Sequence, residues 1–423
     1  MKKYITYLSL LMFSLMGTDL TDFALSIWIL DQPDGSISLY SFVWFCEAAP
    51  AVFLAPVIGS LIDRWNKKKM IIYGQLVAGI GSMILMTLHY LGQLHPWHIM
   101  IVAGVGSIAS TFVFQAFYVS TKALVPKDQL VRAQGLSSTL NATIQMGLPI
   151  VAPILYKLIG MSNIFLFDGI TFFTSVIAFS ILSFVVVEIS SEKFSMKNDY
   201  KVVKEFVKQQ KGFLYLYSFF FLINFLVGLI TVLFTPLILD FSNEYVLGLV
   251  LACVGVGSLI GGGAMASKKT FNNPIQIIIW ANVFVGLILI SFFIQVNPWI
   301  LGIGGMMILA LISVSAIVNE AFFQTVVPTK ILGRLTGFSG FFIGTAAPLS
   351  FLLSGFVVDQ LNHFFKANTI DFMNHFPGTS ITTSIVVVFV IAGSLLTILS
   401  LIYRRNPNLK KLDALYKIAL EKK

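Results

Sequence analysis

The chain has 423 residues, of which 57% are hydrophobic and only 11% charged, and its formal net charge is +9. A soluble domain of that length needs far more charged surface, so a soluble enzyme or binding module is excluded; the mean hydropathy of +0.87 points the same way. Cys46 and Cys253 each fall inside an apolar stretch, which argues against a disulfide framework.

Apolar runs of 20 or more residues recur along the whole length, each long enough to cross roughly 30 Å of hydrocarbon. The first, Ile5–Leu30, follows Lys2 and Lys3 as a signal peptide would. Its apolar part is too long, Asp19 and Asp22 interrupt it, and no small-residue cleavage site follows, so it reads as the first span. Asp19 and Asp22 lie three residues apart, on one helical face. The second span is Ser38–Ile62, and Glu47 sits about nine residues in from its outer end, roughly 13 Å deep. Ionisable groups inside spans are costly and are functional candidates by default. Burial disfavours the charged form of a carboxylate, so Asp22, Glu47 and Asp19 are the candidates for taking up a proton outside and releasing it inside.

The next spans are Met70–Leu91, Pro96–Val119, Thr139–Leu158 and Ile164–Val187, bounded by charge, Pro or Gly. Asp168, a few residues inside the sixth, is expected at the outer interface. A polar stretch with six lysines, Glu188–Lys211, then reads as a cytoplasmic linker. Six more spans follow: Gly212–Leu237, Tyr245–Ala266, Pro274–Val296, Pro298–Phe322, Thr336–Val358 and Ile381–Tyr403. The longest outer loop, Asp359–Thr379, reads as an untethered connection, with a short extracellular lid as the alternative. The expected organisation is an N-terminal six-helix bundle (1–187), a linker (188–211) and a C-terminal six-helix bundle with a short basic tail (212–423). With both termini in the cytoplasm, 26 of the 28 Lys and Arg residues fall on the cytoplasmic side, leaving only Lys157 and Lys366 outside. The positive charge thus holds loops against an anionic leaflet and calls for no nucleic acid. The five histidines lie mostly near loops and no His/Cys cluster has metal-ligand spacing, so no metal is expected. No Ser/His/Asp set, zinc motif or phosphate loop appears, so an enzyme is not expected.

The halves repeat at one offset. Pro126, Arg132 and Gly135 align with Pro328, Arg334 and Gly337, each 202 residues apart, and the same shift carries Gly59 onto Gly261, Lys67 onto Lys269 and Asp22 onto Asn224. A parallel repeat of six plus six spans predicts two halves that rock about a central site. The substrate path between them is expected to draw polar lining from Gln115, Asn141, Gln145, Asn224, Asn282 and Asn319, and aromatic surface from Trp28, Trp44, Phe45 and Phe225.

Gly59-Ser-Leu-Ile-Asp-Arg-Trp-Asn-Lys-Lys-Lys69 resembles the signature G-x-x-x-D-R-x-x-R/K-R/K of the major facilitator superfamily, in the same loop between the second and third spans. Gly59 would allow close helix approach, and Asp63 would face a helix N-terminus or a basic residue. With Arg64, Lys67 and Lys68 it would form a cytoplasmic latch, joined at the gate by Arg132, Arg334 and Glu320. The loop Thr121–Gly135 resembles that of the macrolide-efflux-like branch of drug/proton antiporters. The resemblance implies an all-α integral membrane protein of twelve transmembrane helices in two parallel six-helix repeats. It further implies proton-coupled export of small amphipathic compounds by alternating access in the bacterial inner membrane, as a monomer, driven by the proton motive force without a cofactor. Two features depart from the pattern: the fourth span, Ile99–Val119, contains no charged residue, and the fifth-span G-x-x-x-G-P is reduced to Gly147-Leu148-Pro149. The alternatives are a dedicated exporter of a siderophore or peptide metabolite, and a non-transporting receptor or scaffold on a transporter frame.

Overall fold

A computed structural model describes residues 2–32, 36–62, 65–125, 130–181, 196–266, 271–368 and 376–421. Among the described residues there are fourteen helices and no strand. In lipid every backbone N–H and C=O must be satisfied within the segment, which leaves the helix as the structure open to a lone apolar run. Those of the first half are α1 (Lys2–Leu30), α2 (Ile37–Ile62), α3 (Lys67–Tyr90), α4 (Pro96–Leu124) and α5 (Leu130–Ile181). The second half holds α6 (Met196–Gln209), α7 (Lys211–Phe241), α8 (Glu244–Ala266), α9 (Pro274–Ser291) and α10 (Pro298–Val326), then α11 (Thr329–Gly344), α12 (Ala346–Ala367), α13 (Ser380–Arg405) and α14 (Pro407–Glu421).

Local chemistry sets the helix starts. The Asn66 side chain accepts from the Lys69 amide at 3.1 Å and caps α3, and Asn297 caps α10 through the Ile300 amide at 2.9 Å. Pro96, Pro274 and Pro298 occupy the first helical position, where a missing N–H costs nothing. Among the described residues eleven helical stretches are long and apolar enough to cross a membrane, and one of them, Thr139–Ile181, has 43 residues, the length of two spans. It breaks at Gly160, whose φ of 74° and ψ of 165° lie in territory that side chains other than hydrogen avoid. The fifth and sixth spans are therefore joined by one residue, and the twelve expected spans are present. Large apolar side chains such as Ile84, Ile101, Ile303 and Ile398 stand exposed along these helices, as suits a lipid-facing surface.

The described chain divides into two compact units, Met1–Phe194 and Ser195–Lys423. In unit 1, α1 packs on α5, α5 on α3, and α4 on both α3 and α2. One end of this unit is sealed by aromatic packing: Tyr7 stacks on Phe179 at 4.8 Å and Tyr4 on Phe117 at 5.7 Å. In unit 2, α8 packs against α10, α13 against α9 and α7, and α12 against α7. The α8–α10 crossing is close because a Cβ at Gly257 or Gly261 would run into the backbone carbonyls of Met306 and Ala310.

Two segments gain structure and one expectation changes. The linker contains α6, which packs on α7 and α11. The basic tail forms α14, which lies against α7, α9 and α10, with Asp413 Oδ1 accepting from the Ile275 amide at 2.8 Å at the start of α9. The loop after the eleventh span is tethered: α12 continues to Ala367, and Asp240 at the end of α7 accepts from the Thr379 amide at 2.8 Å and the Thr382 hydroxyl at 2.7 Å. A carboxylate taking several donors at the first turn of α13 is favoured by the helix dipole.

Candidate functional site

Within unit 1, five helical segments line a cavity of about 540 Å³. From α1 come Thr18, Asp19, Thr21 and Asp22; from α2, Glu47; from α3, Ser82; from α4, Ser107, Ser110, Thr111 and Gln115; from the last part of α5, Asp168 and Phe172. The three- and four-residue spacings on α1 put its polar groups on one inward face. No Lys, Arg or His is among the described lining residues. Four carboxylates thus share one cavity with hydroxyls and an amide, and without a counter-charge among the described lining residues.

They are held differently. Asp168 is 2% exposed, and its Oδ2 accepts from the Ser82 hydroxyl at 2.6 Å while the Thr18 hydroxyl lies 3.5 Å from its Oδ1. Gly17 makes this possible, because a Cβ there would stand 2.7 Å from Asp168 Oδ1. Asp19, Asp22 and Glu47 are half-buried, and their carboxyl groups accept no hydrogen bond from a described side chain, the Ser26 hydroxyl donating to the Asp22 backbone carbonyl instead. The expectation of Asp168 at the outer interface is corrected: it is a buried cavity residue. Taking the sixth span to begin at Ile164 placed it too shallow. The helix resumes directly after Gly160, which puts Asp168 roughly 12 Å along it. The glycine that ends the preceding run was the signal available. Ser82, Thr18 and the α4 hydroxyls carry no such signal, because single Ser and Thr residues are common in membrane helices.

Gln115 lines the cavity, whereas other expected lining residues do not belong to it. Asn282 is 2% exposed and spends its amide inside unit 2, donating to the Ile278 carbonyl at 2.8 Å and approaching Ser315 Oγ at 3.4 Å, so it serves α9–α10 packing. Asn141 and Gln145 pair with each other along α5 at 3.2 Å, and the Asn224 amide donates to Phe220 O on its own helix at 2.8 Å. Asn319 Oδ1 and Trp44 Nε1 are buried without a hydrogen-bond partner among the described residues. Trp44 packs edge-on against Tyr40, Phe45 stacks on Phe42 at 5.7 Å, and Trp28 and Phe225 are half-buried on α1 and α7. Glu320 is exposed and accepts from Gln324 one turn on. Lys67 is buried, and Lys68 Nζ donates to the Ser180 carbonyl at 3.0 Å, tying the start of α3 to the end of α5 inside unit 1. Gly59 lies in the last turns of α2, Asp63 and Arg64 lie outside the described residues, and so do the side chains of Arg132 and Arg334. No group of three or more His, Cys, Asp or Glu with metal-binding geometry occurs among the described residues.

Comparison with known proteins adds to this geometry. The family model described as Major Facilitator Superfamily matches residues 7–346. Macrolide efflux protein A of Streptococcus pyogenes is 25% identical over 351 residues, covering 80% of this chain and 86% of that protein. Macrolide efflux protein A of Enterococcus faecalis is 25% identical over 327 residues, covering 74% of this chain and 97% of that protein. The crystal structure of the nucleoside transporter NupG has the same fold, with a TM-score of 0.71 at 14% identity over 96% of this chain and 99% of that one. With the family's sequence pattern over most of its length and the family's fold in its helices, the chain belongs to the major facilitator superfamily and is a transporter, not an enzyme.

Proposed function

We propose that the protein exports small amphipathic compounds, drug- or macrolide-like and neutral or cationic, across the bacterial cytoplasmic membrane in exchange for protons. The two six-helix units alternate access to the substrate, both termini face the cytoplasm, and the proton motive force drives a monomer that needs no cofactor. The observation that carries this reading is the clustering of Asp19, Asp22, Glu47 and Asp168 in one cavity with no cationic lining residue among those described. Carboxylates crowded together inside a membrane repel one another and are costly there, and a bound proton or an organic cation relieves both penalties. Protons and a cationic compound compete for the same oxygens, and when the cavity is exposed to each side in turn, that competition is antiport. The likeness to proteins named for macrolide efflux supports export over import. Gly59, Asp63 and Arg64, together with the loops of Arg132 and Arg334, form the cytoplasmic latch in this reading, and Lys67 and Lys68 brace its base.

Inverted membrane vesicles from cells making the protein test it. A pH gradient is imposed, a panel of amphipathic dyes and antibiotics is added, and compound uptake and gradient loss are followed together. Uptake that dissipates the gradient in the wild type and fails in Asp22→Asn or Glu47→Gln supports both the exchange and its site. Uptake without gradient loss removes proton coupling, and wild-type behaviour in both variants removes the site.

A further inference from the structure

Beside the acidic cavity lies a smaller chamber of about 40 Å³, and Leu15, Thr18, Ala78, Ser110, Phe114 and Phe172 belong to the walls of both. Its far side is formed by Ser14 on α1 and Gln75 on α3, which are 2% and 4% exposed, with Ser14 Oγ donating to Gln75 Oε1 at 2.9 Å. A hydroxyl and an amide at that depth lose their hydration, whereas an apolar pair of similar volume would pack without that cost. The chamber is large enough for one water, which needs roughly 10–15 Å³ and two to four polar partners. Ser14, Thr18, Gln75 and Ser110 supply them.

The polar groups fall on a line. Asp22, Thr18 and Ser14 follow one another at four-residue steps, one helical turn each, over roughly 12 Å of α1. Thr18 Oγ1 lies 3.5 Å from Asp168 Oδ1 and 3.3 Å from the Ser14 carbonyl. The line runs toward the end of unit 1 where α1 and α3 begin, which the lysine distribution assigns to the cytoplasm. Past Ser14 it meets the buried packing of Tyr7, Leu8, Leu11, Ile71 and Phe179.

We infer that the chamber is a water site through which protons pass between the acidic cavity and the cytoplasmic end of unit 1, by a route separate from that of the substrate. The water takes up a proton from the acidic cavity on one side as it releases one toward the cytoplasmic end on the other, so O–H bonds broken and formed are equal in number, and the Thr18 and Ser14 hydroxyls hold it in place. Gln75 orients the water and carries no proton. The Tyr7–Phe179 stack is the closed end of the route, and it must loosen for release. This inference rests on the proton-exchange reading above.

Purified protein in liposomes, with erythromycin as the probe, separates the possibilities. Two fluxes are compared in wild type, Gln75→Leu and Ser14→Ala: uptake driven by a pH gradient, and exchange of labelled for unlabelled erythromycin at equal pH, which needs no net proton movement. The expected result is driven uptake reduced at least tenfold in both variants, with exchange within twofold of wild type. Exchange that persists also shows that the variants are folded. Driven uptake unchanged in both variants, or both fluxes falling together, overturns the inference and leaves Ser14 and Gln75 as packing residues. Absence of gradient-driven uptake in the wild type defeats the proton-exchange reading itself, and this inference with it.

Discussion

At the scale of single residues, the four cavity carboxylates differ in what holds them. Asp168 is fixed by Ser82 on a neighbouring helix, while Asp19, Asp22 and Glu47 face the cavity with no such donor among the described residues. Ser82→Ala therefore leaves a buried carboxylate oxygen without its 2.6 Å donor, at a cost of about 1–3 kcal/mol. The expected outcome is a lower thermal unfolding midpoint in detergent, recovered in part by adding Asp168→Asn, which removes the charge that needed the donor. Outside the spans, Asp413 shows the converse balance. Burial pushes its carboxyl up to about 6, against the pull of the Ile275 amide and the Lys417 ammonium. Because its value in the folded protein is raised, Asp413 favours the docked helix most when protonated, and that contribution is lost as pH rises from about 4 through about 6. Hydrogen exchange in α14 is expected to be slower at pH 5 than at pH 7.5, after correction for intrinsic rates, and Asp413→Asn is expected to remove the difference.

At the scale of elements, the helices were legible because a 20-residue apolar run has one structural outcome in lipid, and the count of twelve follows from runs alone. What the runs did not convey was how they join. One glycine connects the fifth and sixth spans, so Asp168 sits deeper than its distance from Ile164 suggested. Polar segments were harder for another reason. The helices inside the linker and the tail gave little signal because their apolar stripes, such as Val203 and Phe206 of α6 or Leu409, Leu412 and Tyr416 of α14, are short and interleaved with lysines. Deep carboxylates stood out in the sequence, whereas hydroxyl partners such as Ser82 did not, and an asparagine gives no hint of which helix it will face: Asn282 packs between α9 and α10. The small-residue face of α8 was visible as Gly261 in the repeat but gained meaning from the carbonyls opposite it. Gly257→Ala and Gly261→Ala each push a methyl into backbone on α10, an overpacking of about 1–3 kcal/mol. Each is expected to lower the unfolding midpoint, and Gly261→Leu to abolish recovery of folded protein from membranes.

At the scale of the whole molecule, charge is distributed with a clear bias: 26 of 28 basic residues fall on one side of the expected topology, while the carboxylate cluster belongs to unit 1, and Asn224 stands where the repeat matches Asp22. The first asymmetry predicts an orientation that can be tested. In a variant lacking Cys46 and Cys253, a single cysteine placed at Lys2 or Lys423 is expected to react with a membrane-impermeant maleimide in inverted vesicles and not in intact cells. Reaction from outside at either position would overturn the topology. The joint at Gly160 bears on how the protein is made as well as on how it is built. Spans five and six share no intervening polar loop, so the biosynthetic machinery has no hydrophilic segment to push through the bilayer between them. They are expected to leave the translocation channel as one hairpin, and a chain arrested within the sixth span would hold the fifth back with it.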